Sequence, residues 1–329
     1  MKHVSILIPK GQYSIVNIGG AYQILQWASD MFFQQTRQQL FKVEFVGHEK
    51  PAEDVEGVYT VTPKKTIDEV DKTDLIIIPA VHGELSEAIA NNQKVIQWVA
   101  EQHKQGAEIA AFCIGAFLLA ETGILDGKAC STHWGYAPLL QQMYPQINVQ
   151  AENIVCVSDG IYTSGGAYAF TNLVIYLIER FGGRELALMT AKGFMIDVDK
   201  NNQSLFMIFN GQKDHGDELI LGVQKQIEEE FAESLSVNDL ADQHATNRRT
   251  LERRFKSATG NSVLEYLQRV RVESAKKVLE QDKRSVADAM YEVGYNDSKA
   301  FREVFRKYVG VSPVDYKKKF ARDTALVTT

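Results

Sequence analysis

The sequence predicts an N-terminal α/β domain with a doubly wound parallel sheet, followed by an all-helical domain with two helix-turn-helix units. Two observations lead to this prediction. Apolar, β-branched runs alternate with helical stretches over the first two-thirds of the 329 residues, as in a sheet covered by helices on both faces. The last third duplicates a unit of helix, tight turn and helix. We expect the first domain over residues 1–210, a linker over 211–219 and the second domain over 220–325.

The elements of the first domain follow from short apolar runs and the helical stretches between them. Strands are predicted over residues 3–8, 41–46, 74–79, 108–112 and 161–163. The run Asp74-Leu-Ile-Ile-Ile-Pro79 is apolar throughout its centre, which is typical of a parallel strand buried on both faces. Helices are predicted over residues 21–39, 86–105, 116–122 and 169–181.

The C-terminal third repeats itself at an offset of about 50 residues. Ser236-Val-Asn-Asp239 recurs as Ser285-Val-Ala-Asp288, and Gly260-Asn-Ser262 recurs as Gly310-Val-Ser312. A serine with an acid three residues later has the spacing of a capping box, so each segment is predicted to begin a short helix. Each glycine is predicted to end the longer helix that follows the turn, because glycine adopts the left-handed conformation without strain.

The longer helix of each repeat is predicted to have one apolar face and one basic face. Asn247 and Asp297 are its expected N-caps. The residues expected to face the core lie four apart, and they are Leu251, Phe255, Phe301 and Phe305. Between the two units, residues 262–281 are predicted to form one long amphipathic helix, about 30 Å long if it is continuous.

Charge divides the chain in the same place. Residues 1–220 carry 16 Lys and Arg against 25 Asp and Glu, whereas residues 221–329 carry 20 against 17. Residues 247–256 hold five positive charges and one negative. A basic helix behind a short helix and a turn indicates entry into the major groove of duplex DNA. The alternative is a small helical bundle with a solvated charged face, which a matched duplication of caps and basic faces disfavours.

The C-terminal hundred residues resemble the DNA-binding domain of the AraC/XylS family. The motifs that carry the resemblance are Arg249-Thr-Leu251, Arg254-Phe-Lys256, Thr259-Gly260, Tyr266-Leu-Gln268, Arg271, Glu273-Ser-Ala275, Val293-Gly-Tyr295, Asp297, Phe301-Arg302, Phe305-Arg306, Gly310-Val-Ser-Pro313 and Tyr316. One departure is Val263, where the family usually has proline. The resemblance implies two sets of DNA contacts. The base-facing residues would be Arg249, Glu252, Arg253, Lys299, Arg302 and Glu303, and the phosphate-facing residues would be Arg248, Lys256 and Arg306. Arginine reads guanine and glutamate accepts from cytosine, in agreement with the first set.

A cysteine lies where a predicted strand meets a predicted helix. In Phe112-Cys113-Ile114-Gly115-Ala116 the strand ends, the cysteine occupies the turn and a helix begins. This is the layout of a nucleophile elbow, and the helix N-terminus is expected to lower the pKa of the thiol. The alternative is an inert, buried cysteine that packs as a small apolar residue.

Residues 1–200 resemble the DJ-1/PfpI class of the class I glutamine amidotransferase-like superfamily, and in particular the sensor half of GlxA-type regulators. The matching motifs are Cys113-Ile-Gly-Ala-Phe-Leu-Leu-Ala120, Gly123-Ile-Leu-Asp-Gly127, Ser131-Thr-His-Trp134 and Thr163-Ser-Gly-Gly166. The resemblance implies a flavodoxin-like sheet. It also implies a pocket at the elbow, lined by Asn17, Gly19, Cys113, Ile114, His133, Trp134, Gly165 and Gly166.

The pocket lacks the groups that catalytic members of the superfamily use. Those members have histidine directly after the cysteine, where this chain has Ile114, or an acid after the first strand, where residues 1–29 contain neither Asp nor Glu. Related regulators tend to have Asp and Pro where this chain has Asn17 and Ala21. We therefore expect Cys113 and His133 to be a vestigial nucleophile and base without efficient hydrolysis, because a cysteine hydrolase needs an oriented base.

Together these patterns predict a cytoplasmic, DNA-binding transcriptional regulator, in which a small molecule at the N-terminal domain controls DNA binding. The expected partners are duplex DNA, RNA polymerase, an effector of unknown identity and a second copy of the chain in a homodimer, and the expected regulation is activation. No cofactor, metal site, membrane span or signal peptide is predicted; the longest uncharged apolar run has twelve residues, short of a span. The alternatives are a Cys113-dependent hydrolase or amidase, and a redox sensor that oxidises Cys113.

Overall fold

The strands of the molecule all lie in its N-terminal part, within the residues that the structure describes. The structure is a computed structural model that covers residues 1–49, 61–199, 202–281 and 284–321. The chain divides into two units, Met1–Gln203 and a second unit that begins at Ser204. The strands are β1 (Lys2–Ile8), β2 (Phe41–Gly47), β3 (Lys65–Thr66), β4 (Leu75–Ile78), β5 (Glu108–Phe112), β6 (Ala129–Cys130), β7 (Asn148–Val149), β8 (Val155–Ser158) and β9 (Ile161–Ser164).

Seven of these strands form one sheet in the order β3-β2-β1-β4-β5-β9-β8. All neighbours are parallel except β8, which pairs antiparallel with β9. In the centre of the sheet, Val4 lies opposite both Val43 and Leu75. Strands β6 and β7 form a separate parallel pair. A parallel sheet whose order reverses beside β1 is the doubly wound arrangement, so the predicted fold class is confirmed.

Helices cover both faces of this sheet. They are α1 (Ile15–Thr36), α2 (Leu85–Asn91), α3 (Gln93–Lys104), α4 (Ala116–Ala120), α5 (Ala137–Met143), α6 (Phe170–Gly182) and α7 (Arg184–Gly193). The apolar core on one face includes Leu75 and Ile77 and packs against α1, α6 and α7. The core on the other face includes Ile76 and Ile78 and packs against α2 to α5. Strand β4 is therefore buried on both faces, as its sequence predicts.

The helix predicted over residues 86–105 is two helices, because the chain breaks at Asn92. This side chain is fully buried. Its Nδ2 donates to the backbone oxygens of Lys10 and Ala88, at 3.0 and 2.8 Å, and its Oδ1 accepts from the Lys10 N–H at 2.8 Å. A buried amide must satisfy both of its ends, so Asn92 binds the loop after β1 and interrupts the helix. Helix α1 also differs from its prediction, since it begins six residues earlier, at Ile15, with Ser14 as its N-cap.

The second unit is helical. Its helices are α8 (Glu218–Glu230), α9 (Val237–Gln243), α10 (Arg248–Thr259), α11 (Val263–Leu279), α12 (Val286–Glu292), α13 (Ser298–Val309) and α14 (Pro313–Phe320). Helices α9 and α10 form the first helix-turn-helix unit, and α12 and α13 form the second. The predicted caps are confirmed: the side chains of Ser236, Asn247, Ser285 and Asp297 each accept a hydrogen bond from the backbone of the first turn.

Each helix-turn-helix unit has its own apolar core. Leu251 and Phe255 are buried in one core, and Phe301 and Phe305 are buried in the other, as predicted from their spacing. Helix α11 contributes to both cores and spans about 25 Å at 1.5 Å per residue. Because one helix contributes to both cores, it joins the two units.

Three further properties follow from the described residues. Within the described ranges, no helix is both long and apolar enough to cross a membrane. No group of three or more His, Cys, Asp or Glu side chains in the same ranges is arranged to hold a metal ion. The three cysteines, Cys113, Cys130 and Cys156, are free thiols and buried.

Candidate functional site

Helix α10 presents a basic surface to solvent. Arg248, Arg249, Arg253 and Lys256 are exposed, and Glu252 is partly exposed. Arg248 pairs with Glu252, with 3.0 Å between Nε and Oε1. Lys256 donates to the backbone oxygen of Gly260 at 2.6 Å. In the part of the chain that the structure describes, Arg249 and Arg253 make no hydrogen bond or ion pair through their side chains. Two guanidinium groups of α10 are therefore available to a ligand.

Helix α13 presents a similar basic surface in the second helix-turn-helix unit. Lys299, Arg302, Glu303 and Arg306 are all exposed. None of these four side chains has a hydrogen-bond or ion-pair partner among the described residues. The nine residues predicted to contact DNA thus fall on two helices, each of which follows a short helix and a turn. The structure assigns none of them a role in the protein core.

One arginine of α10 has a structural role instead. Arg254 makes a bidentate ion pair with Asp217, with 3.0 Å from Nε to Oδ2 and 2.6 Å from Nη2 to Oδ1. Asp217 is also the N-cap of α8, since its Oδ1 accepts from the Ile220 N–H at 3.2 Å. The hydrogen bond from Arg254 lowers the pKa of Asp217. Arg254 is one of the five positive charges of residues 247–256. Its guanidinium group is bound to Asp217, however, and so links α10 to the start of α8.

The Cys113 elbow forms as its sequence predicts. Cys113 follows β5 with a φ of 53°, which a residue with a side chain rarely adopts. It begins a 3-10 turn, Cys113–Gly115, that leads into α4. Gly115 is required here because a Cβ at this position would collide with the backbone oxygens of Pro79 and Ile78, the latter at 2.9 Å. A positive φ at a cysteine between strand and helix is the geometry of a nucleophile elbow.

The expected lowering of the Cys113 pKa is wrong. The residue is only 4% exposed, and burial raises the pKa of its thiol to about 11. The backbone N–H groups of Ile114 and His133 donate to the sulfur and offset part of this shift. The loss of water around the thiolate therefore raises the pKa by more than the hydrogen bonds from the backbone amides lower it. At neutral pH the sulfur is a protonated thiol.

His133 lies beside the elbow without the partner that a general base needs. Its Nδ1 accepts from the Gly135 N–H at 3.1 Å, and its ring packs against Trp134 with 5.1 Å between centroids. Burial lowers its pKa. No Asp or Glu within the described ranges hydrogen-bonds to the ring. The structure thus brings Cys113 and the His133 backbone together, but it orients the imidazole through a backbone amide rather than through an acid.

Asn17, one of the residues predicted to line the pocket, has both ends of its side-chain amide bound by neighbouring loops. Its side chain is 2% exposed. Its Nδ2 donates to the Ala167 oxygen at 3.3 Å, and its Oδ1 accepts from the Ala80 N–H at 3.1 Å. It therefore connects the loops that follow β4 and β9. Gly19 lies in the same helix with open space around it, and Ile114 is buried.

Gln203 holds the remaining pocket loops together, and the sequence analysis missed it. Its Oε1 accepts from the Gly166 N–H at 2.9 Å. Its Nε2 donates to the backbone oxygens of Thr132 and Ala151, at 2.9 and 2.6 Å. A Cβ on Gly165 would lie 2.5 to 2.8 Å from this amide. The Gly165-Gly166 pair was the one signal in the sequence that another group approaches closely here.

A separate cleft of about 200 Å³ lies at the carboxyl ends of β1 and β4. Its lining includes Lys10, Gln12, His82, Glu84 and Glu87. None of the eight residues predicted to line the pocket contributes to it. Ligands of doubly wound sheets bind outside the carboxyl ends of the strands at the reversal of strand order, which is where this cleft lies.

Two protein families match the chain. Residues 26–180 match the DJ-1/PfpI family, and residues 240–319 match a family described as a helix-turn-helix domain. The first match contains β2, β4, β5, β8 and β9 with the Cys113 elbow. The second begins within α9, contains both α10 and α13, and ends in α14.

Regulators of transcription are among the relatives that match both domains of the chain. It is 25% identical over 260 residues to the HTH-type transcriptional regulator GbdR of Pseudomonas aeruginosa, covering 78% of this chain and 69% of that one. It is 24% identical over 211 residues to the HTH-type transcriptional regulator GlxA of Rhizobium meliloti, covering 63% and 64%.

A solved structure supports the fold. An AraC family transcriptional regulator from Pseudomonas putida superposes with a TM-score of 0.50 at 15% identity, covering 59% of this chain and all of that one. At this identity the likeness shows the fold alone. The resemblances predicted from the sequence are thus confirmed: the chain carries a DJ-1/PfpI domain followed by an AraC-type helix-turn-helix domain, and its relatives include HTH-type transcriptional regulators.

Proposed function

We propose that the chain regulates transcription by placing α10 and α13 in successive major-groove segments of duplex DNA. The observation that carries this proposal is the pair of matched helices whose basic side chains are exposed. Four basic side chains have no internal partner within the described ranges: Arg249, Arg253, Lys299 and Arg302. An anionic ligand can therefore bind them without breaking an existing contact. An Arg–guanine pair uses two donors of one guanidinium group and discriminates between bases.

The spacing of the two helices supports the same proposal. Helix α11 joins the two helix-turn-helix units and is about 25 Å long, while one turn of DNA rises about 34 Å. A protein that reads two segments on one face of the duplex needs a rigid spacer of this order. We assign base contacts to Arg249, Glu252, Arg253, Lys299, Arg302 and Glu303, and phosphate contacts to Arg248, Lys256 and Arg306.

We further propose that the DJ-1/PfpI domain binds a small effector and pairs two chains in a homodimer. The effector site is formed by Asn17, Gly19, Cys113, Ile114, His133, Trp134, Gly165 and Gly166. The raised pKa of Cys113 and the absence of an acid on His133 within the described residues argue for binding without efficient hydrolysis. Effector binding changes how the two chains hold DNA half-sites and thereby recruits RNA polymerase in the cytoplasm.

Selection of genomic fragments tests DNA recognition. The full chain is mixed with fragmented DNA at about 150 mM salt, because affinity depends on salt, and the bound fragments are sequenced. Wild type is expected to recover one motif with two half-sites. The recognition variant carries Arg249→Ala and Arg302→Ala. Its control carries Lys225→Ala and Lys277→Ala, which remove the same charge from exposed positions of the second unit outside α10 and α13.

The control should recover the wild-type motif, whereas the recognition variant should recover none. Equal recovery by both variants would contradict base reading by α10 and α13. The sensing proposal has its own test, a chain with Gly19→Leu and Gly166→Leu, which fills the site. Unchanged transcription from a reporter that carries the motif would contradict a role for the site in regulation.

A further inference from the structure

A segment without regular secondary structure over most of its length runs along the helical unit. We call residues 204–217 the strap. It starts directly after Gln203 with a 3-10 turn, Ser204–Phe206, and ends at Asp217, the N-cap of α8. Although the sequence predicts that part of this segment is a linker, the structure gives it specific contacts along its whole length.

The first half of the strap binds α11 and α14. The Phe206 ring packs edge-on against Phe320. The Met207 oxygen accepts from Lys276 at 2.6 Å, and the Phe209 N–H donates to Glu273 at 3.2 Å. The side chain of Lys276 is only 6% exposed, and it also pairs with Glu273 at 2.9 Å. A buried lysine is expensive unless its charge is paired and hydrogen-bonded, so these contacts fix the strap on α11.

The second half of the strap reaches α10, a recognition helix. The Gln212 backbone oxygen accepts from Gln224 at 2.7 Å, and its side chain accepts from Asn261 at 3.1 Å. Five residues later, Asp217 makes the bidentate pair with Arg254 of α10. A charge-assisted fork of this kind has a defined geometry as well as strength. The strap is therefore attached to the helix that carries Arg249 and Arg253.

The residue before the strap is attached to the loops of the proposed effector site. Gln203 is 4% exposed and hydrogen-bonds to Gly166, Thr132 and Ala151. Thr132 in turn donates from Oγ1 to the Cys113 oxygen at 2.8 Å. Each buried bond that breaks leaves an unsatisfied group. Movement of these loops therefore carries Gln203 with them, and Gln203 is covalently joined to the first residue of the strap.

We propose that Gln203 and the strap couple the effector site to the recognition helix α10. The inference rests on the proposed function and specifies how the effector site would be regulated. Phe206 is the third residue after Gln203, so the chain that joins them spans at most about 10 Å when it is fully extended. A ligand that displaces the loops at Thr132 and Gly166 also displaces Gln203 and the start of the strap. Because the strap is bound to α10, this displacement changes the position of α10. Coupling between two sites is reciprocal, so DNA bound to α10 must also change the conformation of the loops at Thr132 and Gly166.

Reciprocity provides a test that does not need the effector. Hydrogen exchange of the full chain is measured with and without the duplex fragment recovered by the selection, at about 150 mM salt. In wild type, DNA is expected to protect α10 and to change exchange in peptides covering residues 131–133 and 165–166 by about fivefold, the lower end of common coupling. The Gly166 amide reports directly, since Gln203 is its acceptor.

Two variants separate coupling from stability. Gln203→Leu removes the bonds to the loops. Its matched control is Gln102→Leu, because Gln102 is also a buried amide of the first unit, accepting from the Thr73 N–H at 3.0 Å and donating to the Asp71 oxygen at 3.1 Å. Both should lower the stability of the first unit, but only Gln203→Leu should abolish the response of the loops to DNA. A third variant inserts Gly-Ser-Gly-Ser between Gln203 and Ser204; it keeps every contact and should also lose the response.

The outcomes distinguish the two proposals. Protection of α10 without any change in the loops of wild type would overturn the coupling and leave DNA recognition intact. Loss of the response in both glutamine variants, or its survival in the insertion variant, would overturn the coupling as well. If DNA protects neither α10 nor α13, the proposed function fails and the coupling fails with it.

Discussion

The recognition helices and the Cys113 elbow differ in what their polar groups already contact. On α10 and α13, Arg249 and Arg302 extend into solvent and have no internal partner in the described ranges. At the elbow, the Cys113 sulfur accepts from two backbone N–H groups, and both ends of the Asn17 amide are used by neighbouring loops. Exposed, unpaired groups are available to a ligand, whereas buried, satisfied groups define the shape of their surroundings.

This difference has an energetic consequence. A phosphate that meets a free guanidinium group gains a charge-assisted bond and releases counterions. A ligand that needs the Asn17 amide must first break buried hydrogen bonds, and each one left unsatisfied costs about 1–3 kcal/mol. The charged groups on α10 and α13 can therefore bind a ligand without first breaking a contact, whereas the proposed effector would have to displace the loops at the elbow.

The largest effect we expect concerns the reactivity of Cys113. Burial raises its thiol pKa from the ordinary value of 9.0 to about 11, which lowers the thiolate fraction at neutral pH by about 100-fold. Alkylation of Cys113 by iodoacetamide, followed by peptide mass spectrometry, should be slower than that of a free thiol by at least this factor. Because the folded pKa is raised, the rate should still be rising tenfold per pH unit at pH 9.

The same experiment has an internal reference in unfolded protein, where all three cysteines should react at the rate of a free thiol. A plateau in the Cys113 rate between pH 7 and pH 8 would contradict the comparison. It would show an activated thiolate and would restore the redox and hydrolase hypotheses.

The next largest effect is on the stability of the first unit. Gly115→Ala places a Cβ against the backbone oxygens of Pro79 and Ile78, and neither can move without disturbing β4. Overpacking of this kind destabilises by about 3 kcal/mol. The free energy of unfolding, measured by urea denaturation of the first unit, should fall by this amount.

Gly19→Ala is the matched control for this substitution. A Cβ on Gly19 meets nothing within 4 Å, and alanine in a helix is more stable than glycine by about 0.5–1 kcal/mol. The control should therefore be neutral or stabilising. Equal losses in both variants would mean that the elbow is not held by close approach to β4.

Local sequence rules predicted the second unit well, because its elements begin and end at residues with strong backbone preferences. Ser236, Asn247, Ser285 and Asp297 cap their helices. Gly260 and Gly310 end α10 and α13 in the left-handed region. Such caps act within a few residues, so a single sequence contains the information they need.

The parts that sequence failed to predict depend on distant contacts. Strands β3, β6 and β7 have two residues each, too few for any periodicity. Gln203 is defined by partners from 37 to 71 residues away, and Arg254 by Asp217, 37 residues away. The Cys113 pKa depends on burial, which outweighs the local effect of the turn. In each case, contacts between residues far apart in the sequence decide a property that local sequence rules cannot predict.

A smaller effect is expected from the arginines that we propose to read bases. Arg249→Ala should lower affinity for the selected motif by about 1–3 kcal/mol and relax the preference at one base pair, because it removes a bidentate contact. Titration of the motif and of single-base variants measures both changes. Arg249→Lys keeps the charge but not the planar fork, so it should restore binding to mixed DNA without restoring the preference. Full restoration by lysine would assign Arg249 to phosphate instead.

The smallest effect is expected from Lys256. In the free protein its Nζ already donates to the Gly260 oxygen at 2.6 Å, so binding a phosphate exchanges one partner for another. Lys256→Ala should weaken binding to all sequences alike and reduce the slope of log affinity against log salt by about 1. Lys225→Ala removes an equal charge from an exposed site outside the recognition helices and should leave that slope unchanged. If both variants reduced the slope equally, the effect would come from the net charge of the unit, and the contrast between free and committed groups would not extend to this lysine.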